Sequence, residues 1–116
     1  MALVATPSAV RVQEGHVIDY TSAGALAVGD VVVASELVGV VCDPATASGQ
    51  RVGLAVQGVF AFTKVTTGGS AIALGDLVYW DDTANVANET GTNKLIGKCV
   101  KAAADADARV WVLMDQ

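Results

Sequence analysis

Short apolar blocks, rich in Val and separated by Gly, Asp or Ala-rich stretches, recur along the whole chain. Runs such as Val31 to Ala34 (VVVA), Leu37 to Cys42 (LVGVVC) and Arg109 to Met114 (RVWVLM) are too short for helices and dominated by side chains that fit a pleated strand, so they predict strands. His16 to Tyr20 and Leu95 to Lys101 read the same way, and Val10 to Gln13 starts a strand that Glu14 and Gly15 turn. The longest β-like stretch is Arg51 to Val65, in which Gly53 and Gly58 mark bulges or a bend between two strands.

Between these blocks lie connections. Thr21 to Val28 is Ala-rich with Gly24 inside, a loop or a single helical turn, and Asp43 to Gln50 (DPATASGQ) is a surface loop opened by Asp-Pro. Thr66 to Ser70 is a flexible link. Thr83 to Lys94 is polar and reads as a hairpin excursion, with β character only at Val86. Ala102 to Ala108 has helix-favouring Ala, but seven residues carrying Asp105 and Asp107 are too few to hold a helix unaided. It is read as a loop.

The pattern repeats. Ala25 to Val33 (ALAVGDVVV) matches Ala71 to Tyr79 (AIALGDLVY) through a shared Gly-Asp step into a strand. Leu37-Val38-Gly39 matches Leu95-Ile96-Gly97, and Arg51-Val52 matches Arg109-Val110. The second copy is longer by its polar hairpin. Order kept across two copies predicts an all-β fold, a small single-domain barrel or sandwich built from two similar β-meander halves. Residues 10–116 form that domain, and residues 1–9, with Pro7, form an extended N-terminal arm.

Composition sharpens this picture. The 116 residues suffice for one core without staples, 53% are hydrophobic, and the 12 Gly against 2 Pro suit frequent turns. A formal charge of −5 offers no electrostatic footprint for nucleic acid or an anionic membrane. No run approaches the roughly 18 apolar residues of a membrane span, and the first residues lack a secretory pattern. Cys42 and Cys99 are read as buried free thiols rather than a disulfide or zinc site.

Chemistry is hard to find in the chain. His16 is the single histidine, which excludes a multi-histidine metal site, and no Gly-x-Ser-x-Gly elbow accompanies it. Gly91 to Cys99 (GTNKLIGKC) has five residues between its glycines where a phosphate loop has four, and Cys99 stands where the metal-binding hydroxyl belongs. Asp81 and Asp82 are read as the turn that launches the hairpin. The expectation is therefore a non-enzyme without cofactor or metal. Tyr79 and Trp80 are adjacent on one strand and point to opposite faces, so one is core and the other, Trp80 if it is exposed, is a candidate interface anchor.

Six collinear segments carry a resemblance: VQEGHVIDYT, VGDVVVASELVGVV, LAVQGVFAFTK, ALGDLVYWDDT, TNKLIGK and ARVWVLM. Together they resemble the capsid cement, or decoration, proteins of phages, some of which carry a recombinase-like label that the missing phosphate loop argues against. The loop Asp43 to Gln50, the two cysteines and the longer arm depart from the pattern. The resemblance implies a non-enzymatic protein, made in the host bacterial cytoplasm, that binds the major capsid protein on the outer surface of the virion as a homo-oligomer, a trimer for choice. Within that frame, Leu3, Val4 and Arg11 are the candidate capsid contacts, and Tyr79 and Trp80 the candidate inter-subunit contacts. The alternative is a free-standing β-barrel module for a carbohydrate or a host protein.

Overall fold

Nine strands alternate with tight turns in a computed structural model that describes residues 16–114. They are β1 (Val17–Thr21), β2 (Val31–Ala34), β3 (Leu37–Val41), β4 (Arg51–Ala55), β5 (Gly58–Thr63), β6 (Leu77–Asp81), β7 (Val86–Asn88), β8 (Lys94–Lys101) and β9 (Arg109–Met114). No helix is present among the described residues, and Ala102 to Ala108 is a turn-bearing loop, as its length dictates. The expectations at Val10 to Gln13, at Glu14 and Gly15, and for the arm 1–9 lie outside the described residues.

The strands form two curled antiparallel sheets in one compact domain, with orders β1-β4-β3-β2 and β5-β9-β8-β6-β7. Each sheet is one copy of the repeat. Strands β2, β3 and β4 correspond to β6, β8 and β9, while β1 and β5 each pair with the last strand of their own copy. β7 is the addition supplied by the polar hairpin. The meander reading therefore describes β2-β3-β4, and β1 extends that sheet at its far edge.

The correspondence extends to single hydrogen bonds. Gly29 N–H donates to Val41 O at 2.9 Å, and Gly75 N–H to Cys99 O at 2.8 Å; Val41 N–H donates to Asp30 O, and Cys99 N–H to Asp76 O, both at 2.9 Å. The isolated bridge Leu26 to Ala45 has its partner in Ile72 to Ala103. The Gly-Asp step is thus a joint of the fold: Gly29 and Gly75 adopt φ of 92° and 88°, which side-chain-bearing residues avoid.

Alternation decides what each face buries. On β9, Val110, Val112 and Met114 point into the core while Arg109, Trp111 and Leu113 point out, the period-two pattern of a half-buried strand. The central strands of the first sheet, β3 and β4, bury side chains on both faces. Leu54, Val52 and Val41 fill its inner face, whereas Val38, Val40 and Ala55 on its outer face join Phe62, Trp80 and Met114 of the second half in one continuous cluster.

The glycines divide by task. Gly58, with φ of 119°, makes the bend between β4 and β5. Gly53 is no bulge: it pairs in register with Asp19, and a Cβ there would lie 3.2 Å from Val17 Cγ1. The bulges fall instead between Val78 and Tyr79 and between Cys99 and Lys101. Gly39 faces Leu54, whose Cδ2 would stand 2.6 Å from an added Cβ. Leu54 is wholly buried and has nowhere to retreat, so Gly39→Ala is expected to cost about 1–3 kcal/mol through overpacking, read as a lowered urea midpoint at unchanged slope.

One buried cation is tied into the fold. Lys64 is 5% exposed, and its Nζ donates to Val65 O at 2.7 Å, Asp107 O at 2.9 Å, and Ser70 Oγ and Asp105 O at 3.1 Å. Its counterpart in the first half is Ser22, the other buried polar residue among those described, whose hydroxyl donates to Ala47 O at 2.9 Å. The two positions share the backbone bond as well, Ser22 N–H to Gln50 O and Lys64 N–H to Ala108 O. A longer donor thus satisfies the larger set of carbonyls in the second half.

Candidate functional site

The aromatic pair of β6 divides between the two faces of the sheet. Trp80 is 5% exposed, packed at 5.9 Å between ring centroids on Phe62, and its Nε1 donates to Asp82 Oδ1 at 3.2 Å. It is therefore a core side chain, and the reading of Trp80 as an exposed anchor does not hold within the protomer. Tyr79, half-buried, is the member that faces outward.

The acidic pair has structural work. Asp81 Oδ1 accepts from the N–H groups of Thr83 and Ala84 at 3.0 and 3.1 Å, and Asn85 takes a left-handed φ of 57°, the Asx turn that starts a hairpin. Asp76 and Glu89 interact: partial burial first, then a hydrogen bond to Asp76, then the charge of Asp76, raise the pKa of Glu89 above the ordinary glutamate value. The thiols differ from expectation. Cys99 is buried, but Cys42, one residue beyond β3, is exposed. Among the described residues no group of three His, Cys, Asp or Glu side chains could hold a metal ion. Gly91 to Cys99 runs directly into β8, whereas a phosphate loop opens a helix.

The outer face of the second sheet has the makings of a binding surface. Register places Leu77 opposite Lys98, Lys98 opposite Leu113, and Leu113 opposite Val59, a row that crosses four strands. Leu77, Leu113 and Val59 are 46%, 41% and 53% exposed. Beside this row, Trp111 pairs with Ala61 and Lys101, and the Lys101 ammonium sits 4.6 Å from the Trp111 ring centroid. That is a cation–π contact. Lys98, Lys101 and Arg109 make the face locally basic in a chain of net charge −5.

Trp111 was not among the sequence candidates, although the alternation of RVWVLM was signal enough: with Val110 and Val112 inside, Trp111 has to face out. Leu3, Val4 and Arg11 lie outside the described residues, so Tyr79 is the one sequence candidate found on this face. An exposed apolar row flanked by cations is suited to macromolecular contact, and nothing in it assembles a nucleophile with a base.

No curated protein and no solved structure matches the chain. A family model described as phage cement protein matches residues 12–114, a span that includes every strand of both halves. An all-β domain that turns an apolar, basic sheet face outward agrees with that match, and the protein belongs to the phage cement protein family, a structural and non-enzymatic kind of virion protein.

Proposed function

We propose that the protein binds the outer surface of an assembled phage capsid, through the major capsid protein, and stabilises the shell as a homo-oligomer, with a trimer favoured. The family match over residues 12–114 carries this reading. The physical character of the domain supports it. A core of small β-branched side chains closed on both faces of the central strands of one sheet is rigid, and rigid parts lose little freedom on binding. Repeated copies on a shell sum modest contacts by multivalency. A ligand that binds only the assembled state stabilises that state by mass action, about 2.7 kcal/mol per site at a hundred times its Kd.

Residues 2–10, including Leu3 and Val4, together with Arg11, are proposed as a capsid contact. Purified protein incubated with undecorated mature shells is expected to co-sediment with them and to raise their thermal disruption temperature. Deleting residues 2–10 should lower occupancy while leaving the melting temperature of the free protein unchanged. Failure of the intact protein to co-sediment would overturn capsid binding and favour a module for a soluble ligand.

A further inference from the structure

Because the halves correspond strand by strand, each outer-face position in one has a counterpart in the other. Across the first sheet, register sets Val31 opposite Val40, Val40 opposite Ala55, and Ala55 opposite Val17. The counterparts in the second sheet are Leu77, Lys98, Leu113 and Val59, in the same register. The first row is covered at its centre, where Val40 is 8% and Ala55 4% exposed. The second row stands open.

What covers the first row is the second half of the same chain. Phe60, Phe62 and Trp80, the aromatic seam along the inner edge of that half, belong to the cluster that Val31, Val40 and Ala55 join. Counterparts of the seam exist in the first half: Ile18 for Phe60, Tyr20 for Phe62 and Ala34 for Trp80. Ile18 and Tyr20 are half-buried and share a face with Leu54 and Val52, their register partners. The chain therefore contains one face and seam joined internally, and a second face and a second seam left apart.

We infer that the open face of the second half, Leu77, Lys98 and Leu113, docks the Ile18–Tyr20 seam of a second copy of this chain. The contact between chains continues the packing already present within one. Charge supports this occupant. The groove where the halves meet is lined by Asp30, Val40, Ala61 and Arg109 among others; their counterparts are Asp76 and Lys98 on the face and Asp19 and Arg51 on the seam, so each side carries one charge of each sign and the two can pair across the corresponding groove between copies, although Asp19 already stands 3.7 Å from Arg51 in its own sheet. Such a contact is head-to-tail, so it closes into a ring or runs on as a filament according to the rotation between copies. The trimer proposed above is the ring case. Only that closure rests on the capsid-binding reading, because the contact itself forms without a shell.

Sedimentation of the full chain tests the pairing. Leu113→Asp disables the face and Tyr20→Asp the seam, so each variant is expected to sediment as a monomer where the wild-type chain is oligomeric. An equimolar mixture of the two should give a one-to-one dimer, since one good face then meets one good seam. Thermal melts of each variant serve as the check that it is folded. A second pair is safe in this respect, because both side chains are exposed: Lys98→Glu and Asp19→Lys should each weaken association on the order of tenfold, and combined in one chain should restore it. A monomeric wild-type chain, folded variants that associate as the wild type does, or a mixture that stays monomeric would each overturn the proposal. If Leu113→Asp associates normally but no longer co-sediments with shells, the face meets the capsid instead, and the capsid-binding reading survives while this one falls.

Discussion

Trp80→Ala is expected to lower the folding stability by about 4 kcal/mol, the range for emptying an aromatic side chain from a core. The indole is 5% exposed, packs on Phe62 and lies in the cluster shared by both halves, so its removal opens a cavity at the seam between them. It also strips Asp82 Oδ1 of its Nε1 donor, a smaller loss because Asp82 is exposed. Trp111→Ala is the matched control. That ring is 46% exposed and held by Lys101, and a surface cation–π contact contributes only about 0.5–1 kcal/mol. Urea unfolding of the two variants should separate them by several kilocalories. Equal losses would show that Trp80 is not the core residue described.

Lys64→Met is expected to cost about 3 kcal/mol. The substitution keeps the length of the stem, so packing changes little, but three carbonyl oxygens and the Ser70 hydroxyl lose a charged donor at once. Taking the charged donor from these part-buried acceptors costs about 1–3 kcal/mol, although the Ser70 hydroxyl stays within reach of Val65 O and Asp105 O at 3.1 and 3.2 Å. The opposing term is the desolvation of the ammonium, which the methionine escapes. Four short contacts to one Nζ argue that the lost bonds prevail. A Lys64→Met variant as stable as wild type by urea unfolding would mean that desolvation balances the cage, and the ammonium would then contribute nothing net.

Much of the fold was legible in the chain. Val31 to Ala34 and Arg109 to Met114 are strands with the limits that their Val content and flanking turns imply, and the repeat seen in the two Gly-Asp steps is real down to matching backbone bonds. Local signals suffice there because the turn residues act on their own neighbours. Properties set by distant partners were not legible. Lys64 reads as an ordinary polar strand end, and its burial depends on the carbonyls of Asp105 and Asp107, 41 and 43 residues away. Gly53 reads as a bulge because the side chains it makes room for, Asp43 and Val17, lie on a loop and on another strand.

The candidate surface was legible only in part, for the same reason. Adjacency told that Tyr79 and Trp80 face opposite ways, but which of them is inside depends on where the second half packs, and the ring of Phe62 settles that. Trp111 was recoverable from alternation in its own strand. The open row Leu77, Lys98, Leu113 and Val59 was not, since it is drawn from four strands and becomes a row only once they are aligned.

Cys42 gives the molecule a practical property. With Cys99 buried and Cys42 exposed, every copy offers a single readily reached thiol among its described residues, just beyond β3 on the first half and apart from the strands that form the open row. A maleimide dye or a gold cluster attached there would mark each copy at one defined point, and a shell dressed with the protein would carry that label at the spacing of its own lattice.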